Sequence, residues 1–143
     1  MVTITTHNHK ADSINSKELE NLPGPSDYFE AEVEGDFPEN LFPILETIEL
    51  KVGAQIMFVK NDASGESNYF NGKLARVDYM DDEGVTVVMA DTHVSYVLKQ
   101  ERWENKKYKV DEKTKELEEE VVGSFTQFPI KLAWAVTVHK SRA

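Results

Sequence analysis

Tight-turn signals divide the middle of this chain into short strand-like runs, which leaves no room there for long helices. Because Asn, Asp and Gly readily adopt turn conformations, their spacing predicts about five short strands joined by tight turns. This pattern is typical of a small β-barrel of the SH3 or OB kind. Between residues 45 and 110 the signals are Val52-Gly53, Asn71-Gly72, Asp81-Asp82-Glu83-Gly84 and Asp91-Thr92.

The segments on either side of this β region have a different character. VTITT at 2–6 alternates like a strand, and residues 123–143 return to apolar strand character. Strand and helix, then a barrel, then strand again predict a barrel inserted in an α/β domain, mainly β with some α. The predicted helix ends at Pro23-Gly24, and its apolar residues recur at helical spacing at Ala11, Ile14, Leu19 and Leu22.

Three segments leave alternatives open. YFEAEVEG, within an acidic connection at 25–43, indicates one edge strand. Residues 109–120 are highly charged and fit a hairpin tip, a short helix or a loop. LAWAVTVH near the end fits a strand that runs into a turn, or the start of a helix.

Composition excludes several classes of protein. The chain has 143 residues, a formal net charge of -10 and no cysteine, which excludes disulfides, cysteine-based zinc sites and a thiol nucleophile. No apolar run approaches the roughly 20 residues that cross a bilayer, and MVTITTHNHK lacks the pattern of a signal peptide. These features predict a cytoplasmic protein without membrane contact. The negative charge repels phosphate at long range, so any contact with DNA or RNA has to be local.

The sequence contains no self-sufficient catalytic site, and no catalytic residue is predicted. A phosphate-binding P-loop reads G-x-x-x-x-G-K-[ST], whereas Gly72-Lys73 is followed by leucine and has no partner glycine upstream. A dinucleotide fingerprint and a nucleophile–base pair are also lacking. His7, His9 and Asp12 are the closest group of metal-ligand residue types, but they lack further ligands nearby, and no metal site is predicted.

Six aromatic residues lie between positions 69 and 108 of the β region, and their role stays open. Most strand aromatics fill the core of a small domain, whereas exposed ones can stack bases or hold a peptide. The six are Tyr69, Phe70, Tyr79, Tyr96, Trp103 and Tyr108.

The last residues resemble a motif of superfamily-one DNA helicases of the RecD and PIF type. QFPIKLAWAVTVHKSRA is similar to the family stretch that ends in Thr-x-His-Lys-Ser-Gln-Gly, although Arg142-Ala143 stands where Gln-Gly is expected. The matching residues are Phe128, Pro129, Leu132, Ala133, Ala135, Thr137, His139, Lys140 and Ser141.

Two further blocks carry the same resemblance in the right order. IELKVGAQIMFVKND, followed by NGKLARV, is similar to a family stretch of the same pattern, with Ala75 where glycine is usual. Upstream, TTHNHKADSINSKELENLPG resembles a segment in which one asparagine follows a strand and a second lies on the next helix. This resemblance places the two asparagines at Asn8 and Asn15.

The resemblance implies a fold. In this family an SH3-like barrel interrupts the second RecA-like motor domain. The chain is therefore expected to hold a partial RecA-like segment at 1–44, an SH3-like barrel at 45–122 and the return to the RecA-like domain at 123–143. It is identified as a non-catalytic piece of an ATP-dependent DNA helicase of the kind that acts in DNA repair and recombination, ending where the motor resumes.

The resemblance also implies cofactors and partners. The P-loop and its acidic partner belong to the first motor domain, so this chain is expected to bind no cofactor, whereas the parent protein binds ATP and Mg. In the family the Thr-x-His-Lys stretch helps to hold single-stranded DNA, which by position assigns DNA binding to Thr137, His139 and Lys140, together with Asn8. Further expected partners are the remaining motor domains of the same chain and a second copy, bound through exposed strand edges.

The alternative is a stand-alone SH3- or Tudor-like module that binds a protein or peptide. The acidic charge suits such a partner better than it suits DNA. A module would stop after its barrel, whereas a helicase would continue beyond Ser141 and carry a P-loop upstream.

Overall fold

The computed structural model describes residues 2–82 and 84–137, which fold mainly into β-strands. Helix α1 (Asn8–Asn21) follows the first strand, and a short 3₁₀ turn (Glu39–Leu41) precedes the fourth. Within these residues, neither helical segment combines the length and the apolar character that a bilayer span requires. In chain order the strands are β1 (Thr3–Thr5), β2 (Asp27–Glu30), β3 (Glu32–Gly35), β4 (Thr47–Leu50), β5 (Gln55–Phe58), β6 (Leu74–Asp81), β7 (Gly84–Met89), β8 (Ser95–Val97), β9 (Glu101–Val110), β10 (Leu117–Gln127), β11 (Ile130–Leu132) and β12 (Ala135–Thr137).

These strands form four sheets. β1 pairs in parallel with β12, β2 pairs with β4, β10 lies between β3 and β9, and a five-stranded sheet has the order β11-β5-β6-β7-β8. The prediction of mainly β structure with some α is confirmed. In the described part of the chain the five-stranded sheet ends at β11 and at β8, and a closed small barrel is not seen there.

The segments left open by the sequence have defined structures. YFEAEVEG forms two strands, not one, because β2 pairs with β4 whereas β3 crosses to β10. Residues 109–120 form the tip of the β9–β10 hairpin, and LAWAVTVH contributes strand β12. The turns predicted at Val52-Gly53, Asn71-Gly72 and Asp91-Thr92 are present, whereas the one at 81–84 includes Glu83, which lies outside the described residues. Gly53 and Gly72 have φ angles of 96° and 100°, a region that glycine enters without steric cost.

The main hydrophobic core lies against one face of the five-stranded sheet. β7 alternates between half-buried and buried residues, with Val85 and Val87 facing inward, and β5 does the same with Ile56 and Phe58. Leu19 of α1 belongs to the same cluster. Because each fully buried side chain of this kind contributes about 1.5–3 kcal/mol, the cluster holds α1 firmly beside the sheet.

A second, aromatic cluster supports the three-stranded sheet. Phe125 of β10 is fully buried, and the ring centroids of Phe42, Phe37 and Trp103 lie 4.8, 5.7 and 5.9 Å from its own. Aromatic pairs at such separations add about 0.5–1.5 kcal/mol to the effect of burial. The irregular connection before β4 is therefore held against β10.

The six aromatic residues between positions 69 and 108 divide between core and surface. Tyr69 is 3% exposed and stacks on Phe58 at 4.3 Å, and Tyr96 and Trp103 are half-buried. The other three are exposed, so neither interpretation fits all six; they are Phe70, Tyr79 and Tyr108.

Two glycines allow a close approach of β3 and β10. Gly35 and Gly123 are opposite each other in the register, beside a bulge at which the Asp36 N–H donates a hydrogen bond of 2.8 Å to the Val122 carbonyl. A Cβ atom at position 123 would lie well inside van der Waals contact with the backbone of Asp36. That backbone cannot retreat without disturbing the hydrogen bond.

We expect Gly123→Ala to lower the free energy of unfolding by about 3 kcal/mol, because backbone atoms have to move. Gly65→Ala is the control, since a Cβ there meets no atom within 4 Å and only its left-handed φ opposes the change, at about 1 kcal/mol. Chemical denaturation measures both values. Equal losses in the two variants would contradict the close approach.

Candidate nucleic-acid interface

Strands from opposite ends of the described chain form a parallel pair. Thr3 is aligned with Ala135 and Thr5 with Thr137, and the Thr3 N–H donates to the Trp134 carbonyl at 2.7 Å. The carboxyl ends of parallel strands meet at one edge of the sheet, and ligands of open α/β sheets bind there. We call the region formed by Thr5, Thr137 and the first turn of α1 the carboxyl edge.

The amino end of α1 lies at the carboxyl edge. His7 is the N-cap residue, and its side chain makes no capping hydrogen bond; its N–H instead donates to Thr5 Oγ1 at 3.3 Å. Asn8, the first helical residue, is exposed, and the first turn contains no acidic side chain. The N–H groups of a helix start and the positive end of the helix dipole favour an anion such as phosphate.

Two of the four residues predicted to bind DNA lie at this edge. Thr137 is half-buried at the end of β12, and Asn8 begins α1 three residues after Thr5. His139 and Lys140 lie outside the described residues. The topology therefore brings Asn8 and Thr137 to one edge, and their role in DNA binding stays a prediction.

His7 and His9, the metal-ligand residue types noted in the sequence, have ring centroids 5.8 Å apart. Across residues 2–82 and 84–137, His, Cys, Asp and Glu side chains form no group of three that could hold a metal ion.

A buried asparagine of α1 binds the backbone of β12, a role that the sequence interpretation did not assign. Asn15 Oδ1 accepts the Ala135 N–H at 2.7 Å, and Nδ2 donates to the carbonyls of Ala135 at 2.9 Å and Leu132 at 3.4 Å. Asn15 is 8% exposed and lies between Ala11 and Leu19 on the buried face. A polar residue four positions from two core residues is the sequence signal for such a contact, because a buried amide needs partners.

Gln55 of β5 binds the same segment from the five-stranded sheet. Its backbone carbonyl accepts the Ala133 N–H at 2.8 Å, and its Nε2 donates to the Ala133 carbonyl at 2.8 Å. Ala133 and Ala135 are 0% and 1% exposed. Their small side chains allow β5 and α1 to approach this backbone from both sides.

Sequence comparison finds helicases that match almost the whole chain, although no family model matches it. The ATP-dependent DNA helicase Pif1 of Campylobacter jejuni is 29% identical over 148 residues, which cover 94% of this chain. PIF1 of Xenopus laevis is 30% identical over 145 residues, which cover 97%. The homologues of this chain are Pif1 superfamily-one helicases. The chain spans 32% of the Campylobacter protein and 21% of the Xenopus protein.

Solved Pif1 structures share this fold. Unliganded Pif1 from Bacteroides is 32% identical over 98% of this chain and 31% of its own, with a TM-score of 0.86. Bacteroides Pif1 bound to ssDNA matches 99% of this chain and 32% of its own at 32% identity, with a TM-score of 0.83. Because these Pif1 matches cover the β region and both of its flanks, the stand-alone SH3- or Tudor-like module is not favoured.

The block IELKVGAQIM, which carries part of the resemblance to Pif1 helicases, joins α1 to the five-stranded sheet. Lys51 Nζ donates to the Leu22 carbonyl at 3.0 Å, just past the negative end of the helix dipole. Gly53 turns the chain, and its N–H donates to the Val77 carbonyl at 2.7 Å. Gln55 then binds Ala133. This block therefore connects α1, the five-stranded sheet and the segment before β12.

The following Lys-Asn-Asp residues of the Pif1-like sequence organise the loop before β6. Asn61 Oδ1 accepts the Asn71 N–H at 2.9 Å. The Asp62 carboxylate accepts the backbone N–H groups of Ser64 and Asn68, both at 2.9 Å. These hydrogen bonds, above all the one from the Ser64 backbone, lower the pKa of Asp62 to about 2.

We expect the hydrogen bonding of this loop to depend on pH. Because the pKa of Asp62 falls from 3.8 to about 2 on folding, its hydrogen bonds stabilise the loop above about pH 4 and are lost as the pH falls towards about 2. NMR titration of the carboxyl carbon should give the lower midpoint, with the Ser64 and Asn68 amide shifts following it. Asp62→Asn should abolish this dependence at both amides. A carboxyl midpoint of about 4 would contradict the assignment.

Proposed function

We propose that this chain forms part of the single-stranded-DNA-binding surface of an ATP-dependent DNA helicase of the Pif1 type. The observation that carries the proposal is the carboxyl edge, where the ends of β1 and β12 meet an α1 amino terminus without acidic side chains in its first turn. Support comes from the Bacteroides Pif1 bound to ssDNA, which has the same fold over 99% of this chain.

In this proposal the DNA backbone crosses the carboxyl edge. The Thr137 hydroxyl donates a hydrogen bond to a phosphate oxygen, and the exposed Asn8 amide donates another from the start of α1. His139 and Lys140 follow Thr137 in the sequence and add an imidazole donor and a positive charge. Contacts of this kind hold a strand without reading its sequence.

The local sequence makes DNA binding at the carboxyl edge compatible with the chain's net charge of -10. Residues 7–10 read HNHK and residues 139–142 read HKSR, without an acidic residue in either segment. The Debye length is about 8 Å at physiological ionic strength. Distant carboxylates are therefore screened, and the groups nearest to the phosphates decide the local interaction.

ATP and Mg bind outside this chain in the proposed helicase. The sequence lacks a P-loop, and the chain covers about a third of the Bacteroides Pif1 that was crystallised with ADP-AlF4. The remaining motor domains would hydrolyse ATP, and the carboxyl edge would hold the strand on which they move.

We also propose an SH3-like insert at 45–122 between partial RecA-like segments at 1–44 and 123–143. Support for the RecA-like segments comes from the α/β layer of β1, α1 and β12. Support for the insert comes from strands β5 to β8, which lie within 45–122 and are neighbours in one sheet. β10 continues across residues 122 and 123. A cytoplasmic location, a role in DNA repair or recombination, and pairing with a second copy through strand edges stay predictions.

The test is binding of a labelled single-stranded oligothymidylate, measured by fluorescence anisotropy between about 50 and 200 mM salt. We expect affinity to fall with salt. Thr137→Val should raise Kd about tenfold, because valine keeps the branched shape but loses a hydrogen bond to a charged group. Lys140→Gln should reduce the slope of log K against log salt by about 0.7.

Thr3→Val is the matched control, since it makes the same change at the exposed, opposite end of β1. It should bind like the unmodified chain. Binding that is absent at low salt, or that is equal in Thr137→Val and Thr3→Val, would overturn the proposed function.

A further inference from the structure

Three consecutive residues before Thr137 are bound by three different parts of the fold. Ala133 forms two hydrogen bonds with Gln55 of β5, the Trp134 carbonyl accepts the Thr3 N–H of β1, and Ala135 forms two hydrogen bonds with Asn15 of α1. We call residues 133–135 the joint. The five-stranded sheet, the parallel strand pair and the helix all meet at this joint.

The Asn15 carboxamide takes the place of a neighbouring strand. A strand offers a carbonyl and an N–H to the residue beside it, and Oδ1 and Nδ2 offer the same pair to Ala135 at 2.7 and 2.9 Å. A third bond, to Leu132, uses the second amide hydrogen. Rotation of this buried amide would leave several polar groups without partners, at about 1–3 kcal/mol each.

Gln55 completes the arrangement from the other side of the joint. Its side-chain Nε2 and its own backbone carbonyl bind the carbonyl and the N–H of Ala133. Its backbone also belongs to the ladder between β5 and β6, opposite Arg76. A displacement of the five-stranded sheet is therefore transmitted directly to Ala133.

The joint lies close enough to the carboxyl edge to control it. Thr137 is two residues beyond Ala135, about 7 Å along a strand. The donor–acceptor distance of an O–H···O hydrogen bond normally lies between about 2.5 and 3.0 Å. A shift of about 1 Å at Ala135 is thus enough to remove a Thr137 hydroxyl from bonding distance of a phosphate oxygen.

We propose that Asn15 and Gln55 are positioning residues for DNA binding. They do not contact the DNA. They fix the joint so that the Thr137 hydroxyl lies level with the amino end of α1. Gln55 also makes that position depend on the five-stranded sheet. This inference rests on the proposed function of the carboxyl edge. It adds the residues through which the β region acts on the DNA contact.

The test uses the 143-residue chain and the labelled oligothymidylate. Asn15→Asp keeps the shape and the acceptor for the Ala135 N–H but loses both donors, and Gln55→Glu loses the Nε2 donor. Asn21→Asp, at the exposed end of the same helix, and Gln100→Glu, exposed before β9, add the same negative charge. Comparison with these controls removes the general repulsion of DNA by the added charge.

We expect Asn15→Asp and Gln55→Glu to raise Kd about tenfold more than their controls, at a temperature at which near-ultraviolet circular dichroism of the tryptophans shows intact folds. Adding Thr137→Val to either variant should then raise Kd by less than twofold, because the hydroxyl is already out of place. A merely structural role would leave the effect of Thr137→Val unchanged. Gln55 is half-buried, so Gln55→Glu decides the test if Asn15→Asp does not fold.

The outcomes separate the two proposals. Failure of the unmodified chain to bind DNA overturns the proposed function and this inference with it. If the unmodified chain binds and Thr137→Val weakens binding, the proposed function stands. The positioning role is then overturned if Asn15→Asp and Gln55→Glu bind like their controls, or if their effects add fully to that of Thr137→Val.

Discussion

The hydrogen bonds between the Asn15 carboxamide and the backbone of Ala135 are the interaction on which the arrangement of this fold depends. β12 is a three-residue strand with β1 on one side only. On its other side the backbone N–H and carbonyl of Ala135 are buried, and leaving such groups unpaired costs about 1–3 kcal/mol each. One asparagine on a packed helix can pair both groups because the strand edge without a neighbouring strand is so short. A leucine at position 15 would fill the helix face and leave both groups unsatisfied.

The sequence blocks that resemble Pif1 helicases are joined in space by polar contacts to backbone. Lys51 binds the carbonyl of Leu22 beyond α1, and Gln55 binds Ala133. These contacts join the first block to the second at the carboxyl-terminal end of α1, and the second block to the last block at Ala133. Much of the resemblance therefore concerns how the α/β layer and the β region are held together, and a smaller part concerns groups that can reach a phosphate.

Features with a local cause were predictable, and features with a distant cause were not. The turns at Gly53 and Gly72 follow from residue type, and the helix follows from the spacing of Ala11 and Leu19. The division of YFEAEVEG into two strands was missed because each half pairs with a different, distant strand. The hairpin tip at 109–120 was ambiguous because both faces of this ribbon are exposed, with cross-strand pairs such as Lys106–Glu119 at 3.1 Å, so no apolar period marks it.

The sequence by itself determined the strand-and-turn character of the middle of the chain, the lack of a P-loop and the resemblance that singles out Asn8 and Thr137. Only the tertiary structure decided that Asn8 and Thr137 lie at one edge, and that Asn15 binds a strand 120 residues away. The physical reason is that an amide can be satisfied by water, by a helix cap or by a strand, and its local sequence is similar in each case. Burial removes water, and the packing of α1 against the sheet then leaves the backbone of Ala135 as the partner.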